Sequence, residues 1–160
     1  MELRYIGRFD FSKLEGPEFA WSGSTISGRF CGTSVEVDLK TDTENFFTVL
    51  LDGEIIVEVL RVFGHKKYKL ARDLIYGEHE ISIVKRTEFY LGKVQFLGFD
   101  FQGGYNLPPS KSLDRKIEFI GDSITCGFGM DAENENVEYE PKYDNAYLSF
   151  GAVTARRLNA

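Results

Sequence analysis

The stretch Phe47-Thr48-Val49-Leu50-Leu51-Asp52-Gly53-Glu54-Ile55-Ile56-Val57-Glu58-Val59 decides the fold class. Phe47, Val49 and Leu51 alternate with other residues ahead of Asp52-Gly53, and Ile55, Val57 and Val59 alternate after it. A period of two marks strands with one face buried, and Asp-Gly suits the positive-φ backbone of a two-residue hairpin turn. The pattern extends in both directions. Upstream, Val35, Val37 and Leu39 alternate with Glu36, Asp38 and Lys40; downstream, Ile81 and Ile83 alternate with Ser82 and Val84. A last strand holds Val94 and Phe96, then Phe99 and Phe101, and the slip in register across Leu97-Gly98 calls for a β-bulge at Gly98.

Short strands with turns at Gly32, Gly53, Gly77 and Gly92, and no amphipathic helix between them, predict a mainly β domain. Its expected form is a two-sheet sandwich of the jelly-roll kind over residues 1–104. Gly103-Gly104-Tyr105-Asn106-Leu107-Pro108-Pro109-Ser110-Lys111-Ser112 then concentrates Gly, Pro and Ser, so residues 105–115 read as a linker. From residue 116 the pattern changes. Lys116-Ile117-Glu118-Phe119-Ile120 predicts a short strand, Gly121 to Asp144 a polar loop, and Tyr147, Phe150, Gly151, Thr154 and Leu158 a closing helix with Asp144 as its N-cap. Residues 116–160 are thus expected to be the first strand-loop-helix unit of an incomplete α/β domain, since one strand and one helix cannot close a core.

Composition narrows the function. With 160 residues of which 42% are hydrophobic and 28% charged, the chain can bury a core. Its net charge of −6 speaks against a nucleic-acid partner, which needs a surplus of cations on one face. No run of about 18 apolar residues is available to span a membrane. The two cysteines, Cys31 and Cys126, are too few for a disulfide scaffold or a four-ligand zinc site, and no metal or cofactor is expected. With Met1 as the native start the protein is expected in the cytoplasm; with a leader removed, it is expected to be secreted.

The chemistry concentrates at Gly121-Asp122-Ser123-Ile124-Thr125. A serine where a buried strand turns into a loop is exposed at the carboxyl edge of an α/β sheet, a position that suits a nucleophile. Gly121 allows close backbone approach, Asp122 can accept hydrogen bonds that hold the loop, and the Ser123 N–H can point at a developing oxyanion. A serine hydroxyl also needs a neutral imidazole within about 3 Å to take its proton.

This segment resembles the first motif block of the GDSL, or SGNH, hydrolases. Together with Phe19-Ala20-Trp21-Ser22-Gly23-Ser24, Phe30-Cys31-Gly32-Thr33 and Lys85-Arg86-Thr87-Glu88, it makes the whole chain similar to the front part of the family 2 carbohydrate esterases. The resemblance implies a jelly-roll domain followed by the start of a flavodoxin-like SGNH hydrolase domain. It implies removal of O-acetyl groups from plant polysaccharides, through an acetyl-enzyme on Ser123. The implied partner is an acetylated sugar or polysaccharide. The oxyanion glycine and asparagine and the catalytic histidine of that family belong to later motif blocks, beyond Ala160 in this numbering.

Other residues carry competing readings. His65 and His79 are expected to be turn or surface histidines rather than surrogate bases, and Cys126 and Cys31 small packing groups rather than thiol nucleophiles. Trp21, Tyr68, Tyr76, Phe89, Tyr90 and Tyr105 could stack on sugars, but alternating aromatic residues in strands are expected in the core. The run from Asp131 to Glu138 reads as a solvated acidic loop, and Asn145 is not assigned to an oxyanion hole. From a different class, the chain could be a non-catalytic carbohydrate-binding β-module with an inactive hydrolase stub. An exposed apolar helix and strand edge in the α/β part would also favour self-association.

Overall fold

The computed structural model describes residues 2–160. Its strands are β1 (Arg4–Ile6), β2 (Glu18–Phe19), β3 (Thr25–Gly32), β4 (Val35–Leu51), β5 (Glu54–Ala71), β6 (Gly77–Lys85), β7 (Val94–Asp100) and β8 (Tyr105–Leu107). All pair antiparallel, in the order β1-β3-β6-β4-β7-β2, with β5 beside β4 and β8 beside β3. The expected jelly-roll sandwich is present, and its two layers are made from one curled sheet. Glu36–Thr41 of β4 pair with β7, whereas Phe47–Leu51 pair with β6, so the long β4–β5 hairpin runs through both layers. It bends where the register shifts between Thr41 and Asn45. Asn45 is fully buried there, and its Nδ2 donates to Thr41 Oγ1 at 3.3 Å and to the Leu91 carbonyl at 3.2 Å.

The sequence reading of the hairpin holds at its turn. Asp52 and Gly53 take φ of 52° and 88°, as a two-residue primed turn requires. Phe47 and Val49 are fully buried, but Ile55 and Val59 remain about 40% exposed (39% and 42%), because β5 is paired on one side only among the described strands. The predicted bulge is also present: Asp38 pairs with Gly98 and Leu39 with Phe96, leaving Leu97 as the extra residue. Phe99 thereby faces Gly28 of β3, where a Cβ would lie 3.2 Å from its ring, and Phe101 stacks on Phe30 at 4.6 Å. Each fully buried residue of the core between the layers, such as Val35, Val37, Leu39, Ile81 and Ile83, contributes about 1.5–3 kcal/mol over an exposed one.

Three expectations for the second half change. Tyr105–Leu107, placed in the linker, instead form β8 against Arg29–Cys31, because β3 has a free edge beyond β1. Lys116–Ile120 form no strand: no neighbour among the described residues offers a ladder, and Ile120 is 90% exposed. Two helices follow, α1 (Ser123–Cys126) and α2 (Phe150–Arg157), and the N-cap of α2 is Ser149 rather than Asp144. Asp144 is fully buried and used elsewhere. Helix α2 still packs on the 116–120 segment, with Gly151 against the Phe119 ring and Phe150 edge-on to it at 6.1 Å. No helix among the described residues is long and apolar enough to cross a membrane.

Candidate active site

Ser123 opens α1 and is exposed. Three local features shape its turn. Asp122, the N-cap, accepts from the Ile124 N–H at 3.0 Å through Oδ1. Gly121 must lack a side chain, because a Cβ there would lie 2.1 Å from Thr125 Oγ1. Gly127 closes the turn in the left-handed region at φ 76°, and a Cβ on it would lie 2.4 Å from the Asn145 carbonyl oxygen.

The turn is tied to the β-domain through Asn145. Its N–H donates to the Gly127 carbonyl at 2.9 Å, and its Nδ2 donates to Asp131 Oδ2 at 2.8 Å. That same carboxylate oxygen accepts from Arg86 Nη2. Arg86 leaves the end of β6, is only 1% exposed, and also donates through Nη1 to Thr48 Oγ1 at 3.2 Å and to the Glu58 carbonyl at 3.0 Å. A buried guanidinium with several acceptors holds a fixed geometry at high cost if one is removed.

Beside it, Lys85 is fully buried and its Nζ donates to the Thr87 carbonyl at 2.8 Å, Thr87 Oγ1 at 2.9 Å and the Glu88 carbonyl at 3.2 Å. Burial brings its pKa down to about 7, against the opposing pull of Asp144 and Glu88. Burial likewise raises Asp144, although the Gly129 N–H and the Tyr139 hydroxyl donate to it. Burial also pushes the Cys126 thiol up, which keeps it protonated and fits the packing role expected for it.

Neither histidine reaches Ser123. His79 Nδ1 lies 2.7 Å from Asp52 Oδ2 and its Nε2 2.9 Å from the Ile75 carbonyl, while His65 Nε2 lies 3.2 Å from Asp38. Among the described residues Ser123 therefore has no imidazole partner. Cys31 is buried, consistent with packing.

The acidic loop is exposed as expected, and one of its carboxylates is also engaged by the β-domain. Asp131 is committed to Arg86 and Asn145, whereas Glu133 and Glu135 are exposed. Of the six aromatic residues expected in the core, Tyr68 is buried, its hydroxyl donating to the Phe63 carbonyl at 3.0 Å. Trp21, Tyr76, Phe89, Tyr90 and Tyr105 are exposed instead, because they lie on loops, a short 3-10 turn and an outer strand rather than on inward-facing strand positions. Arg86 and Asn145 were not assigned any role in the site from sequence. The available signal was a Lys-Arg pair directly after the apolar run Ile81–Val84, where two cations in a strand need buried acceptors.

A jelly-roll domain fastened to a capped Gly-Asp-Ser turn is an arrangement that known proteins share. The chain belongs to the family described as Carbohydrate esterase 2 N-terminal, whose pattern matches residues 5–110. It is 46% identical over 158 residues to the cellulase/esterase CelE of Acetivibrio thermocellus, covering 99% of this chain and 19% of that protein. It is 30% identical over 149 residues to an acetylxylan esterase / glucomannan deacetylase of Cellvibrio japonicus, covering 89% of this chain and 39% of that protein. Among solved structures, a family two carbohydrate esterase from Clostridium thermocellum in complex with cellohexaose superposes with a TM-score of 0.95 at 46% identity, over 99% of this chain and 49% of that one. The chain therefore spans less than half the length of these relatives.

Proposed function

We propose that this chain is the front part of a serine esterase that removes O-acetyl groups from plant polysaccharides such as acetylated xylan or glucomannan. The observation that carries the reading is the Ser123 turn, shaped by Gly121, Asp122 and Gly127 and tied through Asn145 to a β-domain of the carbohydrate esterase 2 family. In this reading Ser123 Oγ attacks the acetyl carbonyl and its proton passes to an imidazole. The carbonyl oxygen takes the negative charge and is met by the Ser123 N–H. Collapse breaks the bond to the sugar oxygen, which takes the proton from the imidazolium and leaves as a hydroxyl, and acetyl-Ser123 remains for water to hydrolyse to acetate. The imidazole and the other oxyanion donors come from sequence beyond residue 160, in keeping with the greater length of the relatives. Self-association through the exposed Ile117, Phe119 and Ile120 belongs to the same reading of the 160-residue chain, and a sedimentation coefficient independent of concentration would count against it.

The covalent intermediate is testable in a protein in which residues 1–160 run into the second half of a family 2 esterase. Acid quenching during turnover, followed by peptide mass mapping, should place one acetyl group on the peptide holding Ser123. An acetyl group found on another residue would overturn the assignment.

A further inference from the structure

We propose that Trp21, Phe89 and Tyr90 form a stacking subsite on the β-domain for a pyranose ring of the polysaccharide main chain, beside the Ser123 turn. The inference rests on the esterase reading for the identity of the sugar. Its geometry comes from the β-domain itself. The three side chains are 50%, 54% and 51% exposed, so each ring keeps about half of its surface uncovered. Trp21 and Phe89 lie 5.2 Å apart and are inclined by only 33°, an offset stack in which each ring braces the other. Tyr90 stands nearly perpendicular to Phe89 at 81° and forms a wall.

The face is rigid. The Gly23 N–H donates to the Lys85 carbonyl at 2.8 Å and Ser22 Oγ to the Thr87 carbonyl at 3.1 Å, which pins the Trp21 loop to the end of β6. The Tyr90 hydroxyl bonds the Tyr139 hydroxyl at 2.8 Å, and the Tyr139 ring stacks on Phe128 at 4.2 Å. This preorganised surface also adjoins the serine turn. The N–H of Phe128, the residue on which Tyr139 stacks, donates to the Ser123 carbonyl at 3.0 Å.

A rigid aromatic face matches the C–H face of a β-linked hexose or pentose, and its ring hydroxyls then project sideways toward polar groups such as Glu88. An aliphatic partner surface would not need flat rings. The exposed aliphatic residues Ile55, Ile56 and Val59 of β5 offer no such plane.

Trp21 is the sole tryptophan of the chain, so its emission reports on this face alone. Titration of the 160-residue chain with cellohexaose or xylohexaose should give a saturable change in tryptophan fluorescence. Phe89→Ala and Tyr90→Ala should each weaken it by about tenfold, the scale of one lost aromatic contact. Phe89→Leu, which keeps apolar volume but removes the ring, should behave like Phe89→Ala, and Ile56→Ala should leave binding unchanged. An emission that never responds to either sugar, or a response that survives the Phe89 and Tyr90 substitutions, would overturn the subsite. Because the sugars are unacetylated and the readout is binding, the outcome is independent of whether Ser123 forms an acetyl-enzyme.

Discussion

Arg86 and Asp131 form an ion pair that joins the β-domain to the segment carrying Ser123, with the guanidinium side chain 1% exposed and the carboxylate side chain 36% exposed. Asn145 shares the same carboxylate oxygen and also holds the Gly127 carbonyl, so the pair lies two hydrogen bonds from the end of the serine turn. The position of the serine is thus set by residues of both parts of the chain.

Removing either member of this pair should loosen the join. Asp131→Ala is expected to cost about 2 kcal/mol, the scale of a hydrogen bond to a charged group, since Arg86 keeps its carbonyl and Thr48 acceptors. Arg86→Ala should cost about 4 kcal/mol, because it leaves a buried cavity and several unpaired acceptors. Urea unfolding of the two variants measures both, and changes within about 0.5 kcal/mol of the parent would contradict the anchoring role.

Two glycines near Ser123 share a positive φ but differ in their surroundings. Gly129, at φ 60°, has open space where a Cβ would go, so Gly129→Ala should cost only about 1 kcal/mol of backbone strain. In Gly127→Ala the new methyl would also collide with the Asn145 carbonyl, and the cost should reach about 3 kcal/mol or displace the turn. Equal stabilities for the two variants in thermal unfolding would show that the Asn145 contact yields freely.

The pH dependence of stability should carry the signature of His79. The Asp52 carboxylate first, then the Ile75 carbonyl, raise its pKa in the folded state. A raised folded pKa means that the protonated form is favoured by folding. The contribution is therefore complete below the ordinary histidine value of about 6.5 and is lost as pH rises through the higher folded value. His79→Gln should flatten the stability profile in that window. A profile between pH 6 and 8 that is identical in parent and variant, roughly the span in which histidine titrates, would remove His79 as its source.

The sequence made some of this structure readable and concealed the rest for physical reasons. Asp52-Gly53, the slip at Leu97-Gly98 and the Asp122 cap could be read because each is a local rule: a turn, a bulge or a cap is determined within a few residues. Lys116–Ile120 reads as a strand because its residues favour one, yet a strand exists only with a neighbour to pair with, and none lies beside it among the described residues. Asp144 fits an N-cap by type, but burial against Tyr139 and Gly129 gives its carboxylate better donors than a helix start offers. The partner of Arg86 lies 45 residues away, a separation that no local pattern encodes. Trp21, Phe89 and Tyr90 read as core because aromatic residues usually are, and only the placement of two loops shows that they are uncovered.

The most direct measurement is acetate release from acetylated xylan by residues 1–160 joined to the second half of a family 2 esterase, compared with the same protein carrying Ser123→Ala. Release is expected to fall by a factor on the order of 1,000 or more, as when a catalytic nucleophile is removed. Undiminished release from the variant would contradict Ser123 as the nucleophile.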